Sequence, residues 1–295
     1  MIGRMRYVFL LALLLVASSL FAAPVEHVVI VSMDGARPDM ILSCETPNIR
    51  ALAASGAFTW WAQTINPSST LPSHTSMLTG CQPEKHGTTF NSWRKGQDFV
   101  KATTCLEIAH KAGLKTAMFV GKSKLQHIAK PGTVDEFLVT GGAHVIAKTA
   151  AEHFLEVEPG LMFVHFVEPD AAGHAHGWGD TPEYRASIEA CDKAVGVVFD
   201  AIKKSGLEEK TLLIVTADHG GHRKTHGSLD PRDMTIPWVC YGKGNVVSGE
   251  IQESVSTCDT AATAVHALGL ELDPEWDGKP VKEILKTEAA TVEVE

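Results

Sequence analysis

Five short runs of this chain are apolar at nearly every position: Val28–Met33, Thr116–Val120, Leu161–Val167, Thr211–Thr216 and Ile236–Tyr241. A strand wetted on one side alternates apolar with polar residues. A continuous run needs cover on both faces, which is the pattern of buried parallel strands. A weaker run lies at Ala57–Gln63. Between the runs fall helical patterns at Pro47–Ser55, Pro72–Thr79, Thr104–Ala112, Ala143–Glu156, Pro182–Ser205 and Thr260–Leu268. This alternation predicts an α/β fold, three layers α/β/α around a mostly parallel central sheet. Thr46-Pro47 and Thr181-Pro182 read as N-cap followed by N1 proline, and Gly56, Gly113, Gly206 and Gly269 as helix C-caps.

Residues 1–22 carry a basic start (Arg4, Arg6), an apolar run from Tyr7 to Val16 and small residues at Ala17-Ser18-Ser19 and Ala22-Ala23. That is the anatomy of a signal peptide, cut after Ala22, and the run is short for a membrane span. The expectation is an exported chain, periplasmic or secreted, with no stable membrane anchor after cleavage. One catalytic domain is expected over 23–285, followed by a disordered acidic tail at 286–295. Without the first 22 residues, 24 basic residues face 35 acidic ones, a net charge of −11. No basic run is left to hold a nucleic-acid polymer or an anionic lipid surface. An anionic small substrate stays possible if metal ions supply the positive charge. The six cysteines permit up to three disulfides without choosing among them. No C-x-x-C pair suggests a zinc ribbon, and Cys240 reads as a buried thiol. Oligomeric state is left open.

Chemistry-bearing residues gather at the ends of the apolar runs. Asp34 follows the first, Asp170 and His174 follow the run ending near Val167, and Asp218-His219 follow Thr211–Thr216. In open α/β sheets, sites form beyond the carboxyl ends of the strands. Three such ends therefore present carboxylates to one rim. Asp170 and His174 are spaced i, i+4, which puts both on one face of a helical turn; Gly173 also allows a compact loop. His226 lies in a glycine-bounded loop that can close the site, while His176 and His222 are competing candidates. Thr70 stands at the start of a helix, where free N–H groups carry positive partial charge. A metal on its hydroxyl would favour the alkoxide at neutral pH, making Thr70 a nucleophile rather than a mere helix cap. Three carboxylates, three imidazoles and a hydroxyl suffice for two divalent ions. Such a ligand set without cysteine suits Zn2+, with manganese, iron or magnesium also compatible.

These fragments occur in a specific order: strand-Asp34-Gly35, Thr70-x-Pro72-x-His74, Thr79-Gly80-x-x-Pro83-x-x-His86-Gly87, Glu168-Pro169-Asp170-x-x-Gly173-His174, Asp218-His219-Gly220 and His226-Gly227. As an ordered set, from about Val28 to Leu270, they resemble the alkaline phosphatase superfamily and, within it, the type I phosphodiesterase / nucleotide pyrophosphatase family. The resemblance implies one metal on Asp34, Thr70, Asp218 and His219 and another on Asp170, His174 and His226. It implies that Asn91 holds a phosphoryl oxygen through its amide N–H. It further implies hydrolysis of phosphodiester or nucleotide pyrophosphate bonds in two displacements, through a phosphothreonine on Thr70. The expected partner is a small phosphate ester.

Two departures bear on the substrate. Leu71 stands where the family often has an aromatic residue beside the nucleophile to hold a nucleotide base. No second base-stacking aromatic is assignable, although Trp60, Trp61, Trp93 and Trp178 lie near motif segments, at least two of them expected as packing. Lys85, His86, Lys122 and Lys124 are candidate substrate contacts, with solvated loop positions the preferred expectation. A phosphomonoesterase is the nearest alternative. A sulfatase fits less well, because its formylglycine precursor in a Cys/Ser-x-Pro-x-Arg context is missing around position 70. A phosphoglycerate-mutase-like isomerase fits poorly with export. A non-catalytic metal-binding homologue is the alternative of a different class.

Overall fold

The computed structural model describes residues 25–286. The expected targeting segment lies outside the described residues, as does the expected tail apart from its first residue. The chain begins with β1 (His27–Met33), α1 (Pro38–Ser43), α2 (Pro47–Ser55), β2 (Ala57–Gln63), α3 (Thr70–Thr79) and α4 (Pro83–His86). It continues through α5 (Cys105–Lys111), β3 (Thr116–Val120), β4 (Glu136–Val139), α6 (Ala143–Val157), β5 (Leu161–Phe166) and α7 (Glu168–His176). Then come α8 (Pro182–Ser205), β6 (Thr211–Thr216), α9 (Pro231–Met234), β7 (Thr235–Tyr241), β8 (Gly249–Glu250) and α10 (Asp259–Ala267).

The eight strands form one sheet in the order β4-β3-β5-β1-β6-β7-β2-β8. The pairings from β4 to β6 are all parallel, and β7 runs antiparallel to both neighbours. The sheet is thus mostly parallel, and β1, β3, β5 and β6 are buried at every residue, as continuous apolar runs require. Helix α6 packs along α8, which also meets α2 and α7, while α10 packs against α3 and α5. Both groups reach the central strands, α6 and α5 at β5 and α8 and α10 at β6, so helices cover both faces of the sheet. Strand β4 is only four residues long, with Phe137, Leu138 and Val139 apolar but largely exposed, β8 is an exposed Gly-Glu pair, and both lie at the edges.

Among the parallel strands the register levels their carboxyl ends. Met33 pairs with Phe166, Ser32 with Thr216, and Val120 with His165. The residues that follow β1, β5, β6 and β3 therefore emerge on one rim. At this rim Gly35 has φ 74°, and a Cβ there would lie 3.0 Å from the Asp170 backbone. Its absence lets α7 dock against the turn, where the Asp170 N–H donates to the Asp34 carbonyl at 2.9 Å. Gly56 has a different reason from the expected left-handed cap. Its φ is −122°, and what excludes a side chain is collision with the Cys240 carbonyl. Thr181 caps α8 by accepting from the Tyr184 N–H, whereas the Thr46 hydroxyl instead donates to the Ile41 carbonyl at 2.7 Å. All six cysteines are buried and unpaired. Among the described residues no helix is long and apolar enough to cross a membrane.

Candidate metal centre

Helix α3 starts two residues earlier than the sequence suggests. Ser69 is its N-cap, and Thr70 is its first helical residue and only 1% exposed. Its hydroxyl lies 3.5 Å from Asp34 Oδ1. Asp34, Asp218 and His219 are fully buried beside it. His219 Nε2 is 3.3 Å from Asp218 Oδ2 and 3.5 Å from Asp34 Oδ1. A second group lies alongside. Asp170 and His174 share one face of α7, with His174 Nε2 3.4 Å from Asp170 Oδ1. His226 Nε2 is 3.5 Å from the same oxygen, and its ring stacks on His219 at 3.9 Å, joining the two groups. All seven candidate ligands thus meet in one cluster. The ligand atoms of Asp170, His174 and His226 lie within 4.8 Å of one another, as do those of Asp34, Asp170 and His219.

The histidines are oriented for metal binding by what their other nitrogens do. Nδ1 of His219 donates to the Gly220 carbonyl at 2.7 Å, that of His226 to Ser68 at 2.9 Å, and that of His174 to Lys224 at 3.1 Å. A carbonyl only accepts, so each Nδ1 carries the proton and each Nε2 presents a lone pair. Those lone pairs face carboxylate oxygens, an arrangement that repels unless a cation lies between. Asp170 Oδ1, Asp218 Oδ2 and His219 Nε2 are buried without a hydrogen-bond partner. Each such orphan costs about 1–3 kcal/mol. The donor set and its orphaned atoms therefore fit divalent ions.

A further layer orients the carboxylates. The Gly121 N–H donates to His165 Nδ1 at 3.3 Å, so His165 Nε2 carries the proton and donates to Asp34 Oδ2 at 2.9 Å. His74 donates from Nδ1 to the Thr70 carbonyl at 2.7 Å and lies 3.3 Å from Asp218 Oδ2, while its Nε2 accepts from the Ser32 hydroxyl. Asp218 Oδ1 accepts from the backbone N–H groups of Gly35 and His219. Burial lowers the basicity of His165 and His219, and drops His74 and His226 to about 4, so these rings are neutral at pH 7. Burial and the adjacent Asp34 charge push Asp218 up to about 7. Burial works to raise Asp34 too, but Lys122 and His165 outweigh it and hold it well below the usual carboxylate range.

Lys122 corrects the expectation of a solvated loop residue. Its side chain is 21% exposed, and its ammonium sits 2.7 Å from Asp34 Oδ2, 2.5 Å from Asp170 Oδ2 and 3.2 Å from Thr70 Oγ1. It follows the carboxyl end of β3, the same placement that singled out the aspartates. Lys124 is half-buried, and its ammonium donates to Asn91 Oδ1 at 2.9 Å. That oxygen also accepts from the Leu71 N–H at 3.0 Å, which fixes the Asn91 amide beside the start of α3. His86 is likewise buried, bonded through Nε2 to Ser76, whereas Lys85 is half-exposed and paired with Asp277.

The remaining candidates fall outside the cluster. His222 pairs with Asp233 at 2.7 Å, and exposed His176 lies near Glu183. Trp93 and Trp178 are buried, and Trp178 packs edge-on against His174 and His226 while donating to the Gly35 carbonyl. Trp61, 68% exposed, lines a separate surface groove with Arg37 and Trp60. Leu71 is wholly buried and offers no surface to a nucleotide base.

Comparison with known proteins places these features in context. The family model described as type I phosphodiesterase / nucleotide pyrophosphatase matches residues 28–226. The chain is similar to ectonucleotide pyrophosphatase/phosphodiesterase family member 7 of mouse (Mus musculus), 26% identical over 245 residues, covering 74% of this chain and 56% of that protein. The human (Homo sapiens) family member 7 is 27% identical over 288 residues, covering 85% of this chain and 63% of that protein. The chain thus spans less than two thirds of the length of these curated relatives. Murine ectonucleotide pyrophosphatase/phosphodiesterase 5, solved as an inactive variant in complex with AMP, superposes with a TM-score of 0.75 at 16% identity, covering 88% of this chain and all of that one.

Proposed function

Because this chain belongs to the type I phosphodiesterase / nucleotide pyrophosphatase family of the alkaline phosphatase superfamily, we propose that it is an exported two-metal hydrolase of phosphodiester or nucleotide pyrophosphate bonds. The observation that carries this reading is the convergence at Thr70. A buried hydroxyl in the first turn of α3 lies beside neutral imidazoles whose lone pairs face orphaned carboxylate oxygens.

In this reading Asp34, Thr70, Asp218 and His219 would hold one ion and Asp170, His174 and His226 the other, with zinc preferred by the donor types. Bound ions would supply charge neutralisation at the phosphoryl oxygens and favour ionised Thr70. The protein's own part is positioning. His74 fixes the Thr70 carbonyl, and the helix start directs Oγ1 at phosphorus. Thr70 gives its proton to solvent on ionising; its Oγ1 then forms a bond to phosphorus as the bond to the leaving oxygen breaks, and the leaving group departs as an anion that takes up a proton from solvent. Asn91 offers its NH2 to a phosphoryl oxygen. Water then cleaves the phosphothreonine, releasing phosphate or its remaining ester and restoring the hydroxyl. Export to the periplasm or beyond rests on residues 1–22 and is part of the same proposal.

A phosphomonoesterase is a second reading, favoured by the two lysines near Thr70. The test is hydrolysis of bis-p-nitrophenyl phosphate and p-nitrophenyl phosphate by protein of measured metal content, beside Thr70→Ala. Turnover that needs metal and collapses in the variant supports a Thr70 hydrolase. Full activity in Thr70→Ala, or none on either ester by the metal-loaded protein, overturns it.

A further inference from the structure

Trp178 stands two residues past the end of α7, facing a strap, residues 221–228, that carries His226. We propose that Trp178 is a positioning residue for the ligand group Asp170, His174 and His226. Its indole is a wedge that sets His174 against His226 at the spacing one ion requires. This rests on the reading of those three residues as metal ligands, and it adds the side chain that holds two of them in place.

The first ground is contact. His174 belongs to α7 and His226 to the strap, so no shared element fixes their spacing. Trp178 meets both rings edge-on, with centroids 4.9 Å from His174 at 82° and 5.7 Å from His226 at 68°. The two imidazoles then lie 5.0 Å apart. An indole is rigid and turns about only two side-chain torsions, so one well-held ring can fix two partners. At 6% exposure it offers no face to a substrate, which makes it a support.

The second ground is the slot that holds the indole. Gly173 on α7 and Gly221 on the strap flank it, and a Cβ at either position would lie 2.3 Å from a ring carbon. Each element thus gives up a side chain where the ring passes. The indole N–H donates to the Gly35 carbonyl at 3.0 Å. That carbonyl also accepts from the Tyr184 hydroxyl at 2.7 Å, so it is satisfied without Trp178. The N–H therefore aims the ring rather than serving Gly35.

The third ground is the joint between strap and helix. The backbone N–H of Trp178 donates to the Arg223 carbonyl at 2.7 Å. Gly177 beside it has φ 106°, and a Cβ there would lie 3.1 Å from that carbonyl, so glycine allows the approach. The other ties are His174 Nδ1 to the Lys224 carbonyl and the Lys224 ammonium to the Ala175 carbonyl. Both lie among exposed side chains, where water competes for them. The indole is the buried part of the joint.

The experiment titrates zinc into metal-free protein against a chromophoric chelator. It compares wild type, Trp178→Ala, Trp178→Phe and Gly221→Ala, with His174→Ala marking the step that belongs to the outer ligands. Wild type should bind two ions in two steps. Trp178→Ala should weaken the His174-dependent step about 10–100-fold and leave the other unchanged. Trp178→Phe keeps a ring in the slot and should weaken the same step less. In Gly221→Ala the indole is present but forced from its slot, so that step should weaken by about tenfold. These two variants carry the test if Trp178→Ala fails to fold. Equal weakening of both steps, or a His174-dependent step unmoved in Gly221→Ala, would overturn the wedge. Wild type that binds no second ion, or keeps both steps in His174→Ala, removes the ligand reading instead. Two wild-type steps, one lost in His174→Ala and neither moved in the Trp178 and Gly221 variants, remove the wedge alone.

Discussion

The two halves of the candidate centre are built differently. The inner half, Thr70, Asp34, Asp218 and His219, is almost wholly buried and sits directly on strand ends and a helix start. His165 and His74 orient its carboxylates from beneath. The outer half shares α7 with the solvent: the His174 side chain is 48% exposed, and His226 hangs on a loop tied to the Ser68 carbonyl. An inner ion would be gripped by groups that have few other conformations open to them. An outer ion would depend in part on His174, which can move away, although the Asp170 and His226 side chains are only 7% exposed. The difference teaches that a two-metal centre need not have two equivalent sites. We expect the inner half to set stability and nucleophile position, and the outer half to set exchange.

The largest effect should come from the inner half. Thr70→Ala should lower kcat/KM on either nitrophenyl ester by a factor on the order of 10³–10⁶. Circular dichroism should show an unchanged fold, because a single hydroxyl is removed. Next, His165→Ala should weaken zinc binding about 10–100-fold and lower the midpoint of urea unfolding, since Asp34 loses its orienting donor. His174→Ala should lose zinc from the outer half while leaving the midpoint nearly unchanged. If both variants shift the midpoint equally, the halves are not distinct in the way proposed. A smaller and purely kinetic effect concerns chelation. Zinc removal by EDTA, followed with a colorimetric indicator, should run in two phases, the fast one absent in His174→Ala. A single phase in wild type would break the comparison.

The smallest effect provides a metal-free reference. His86 is buried beneath the Asn91 loop, accepting from the Thr88 N–H and donating to Ser76. Burial lowers it from an ordinary 6.5 to about 4. As pH falls below about 6.5 the unfolded chain takes up a proton that the folded one refuses, so stability is lost between pH 6.5 and 4. It is fully present above 6.5. Urea unfolding at pH 7 and pH 5 should show wild type losing about 1–2 kcal/mol more than His86→Gln. Equal losses would show that His86 does not carry this sensitivity.

The fold was legible where residues are buried on both sides. Strands β3 and β6 and helices α2 and α8 lie at the expected residues, because continuous apolar runs and Thr-Pro starts leave few alternatives. Strands β4 and β8 were not legible, since four and two residues are too few to show a strand pattern. The seven candidate ligands could be gathered from sequence because each follows a strand end, starts a helix or lies in a glycine-bounded turn. The same rule reaches Lys122, two residues past β3. Sequence favours a solvated position for it because lysine usually belongs to solvent, and only the level strand ends turn it inward. His165 had a fainter signal, one polar ring in an otherwise apolar strand. Its role depends on the Asp34 contact across the sheet, which adjacency in sequence does not reveal.

The most direct measurement is anomalous X-ray diffraction at the zinc edge from crystals of the zinc-loaded protein. We expect two peaks, one among Asp34, Thr70, Asp218 and His219 and a weaker one among Asp170, His174 and His226, with Lys122 drawn off the carboxylates. A single peak elsewhere, or none with Lys122 still bridging Asp34 and Asp170, would contradict the two-metal centre.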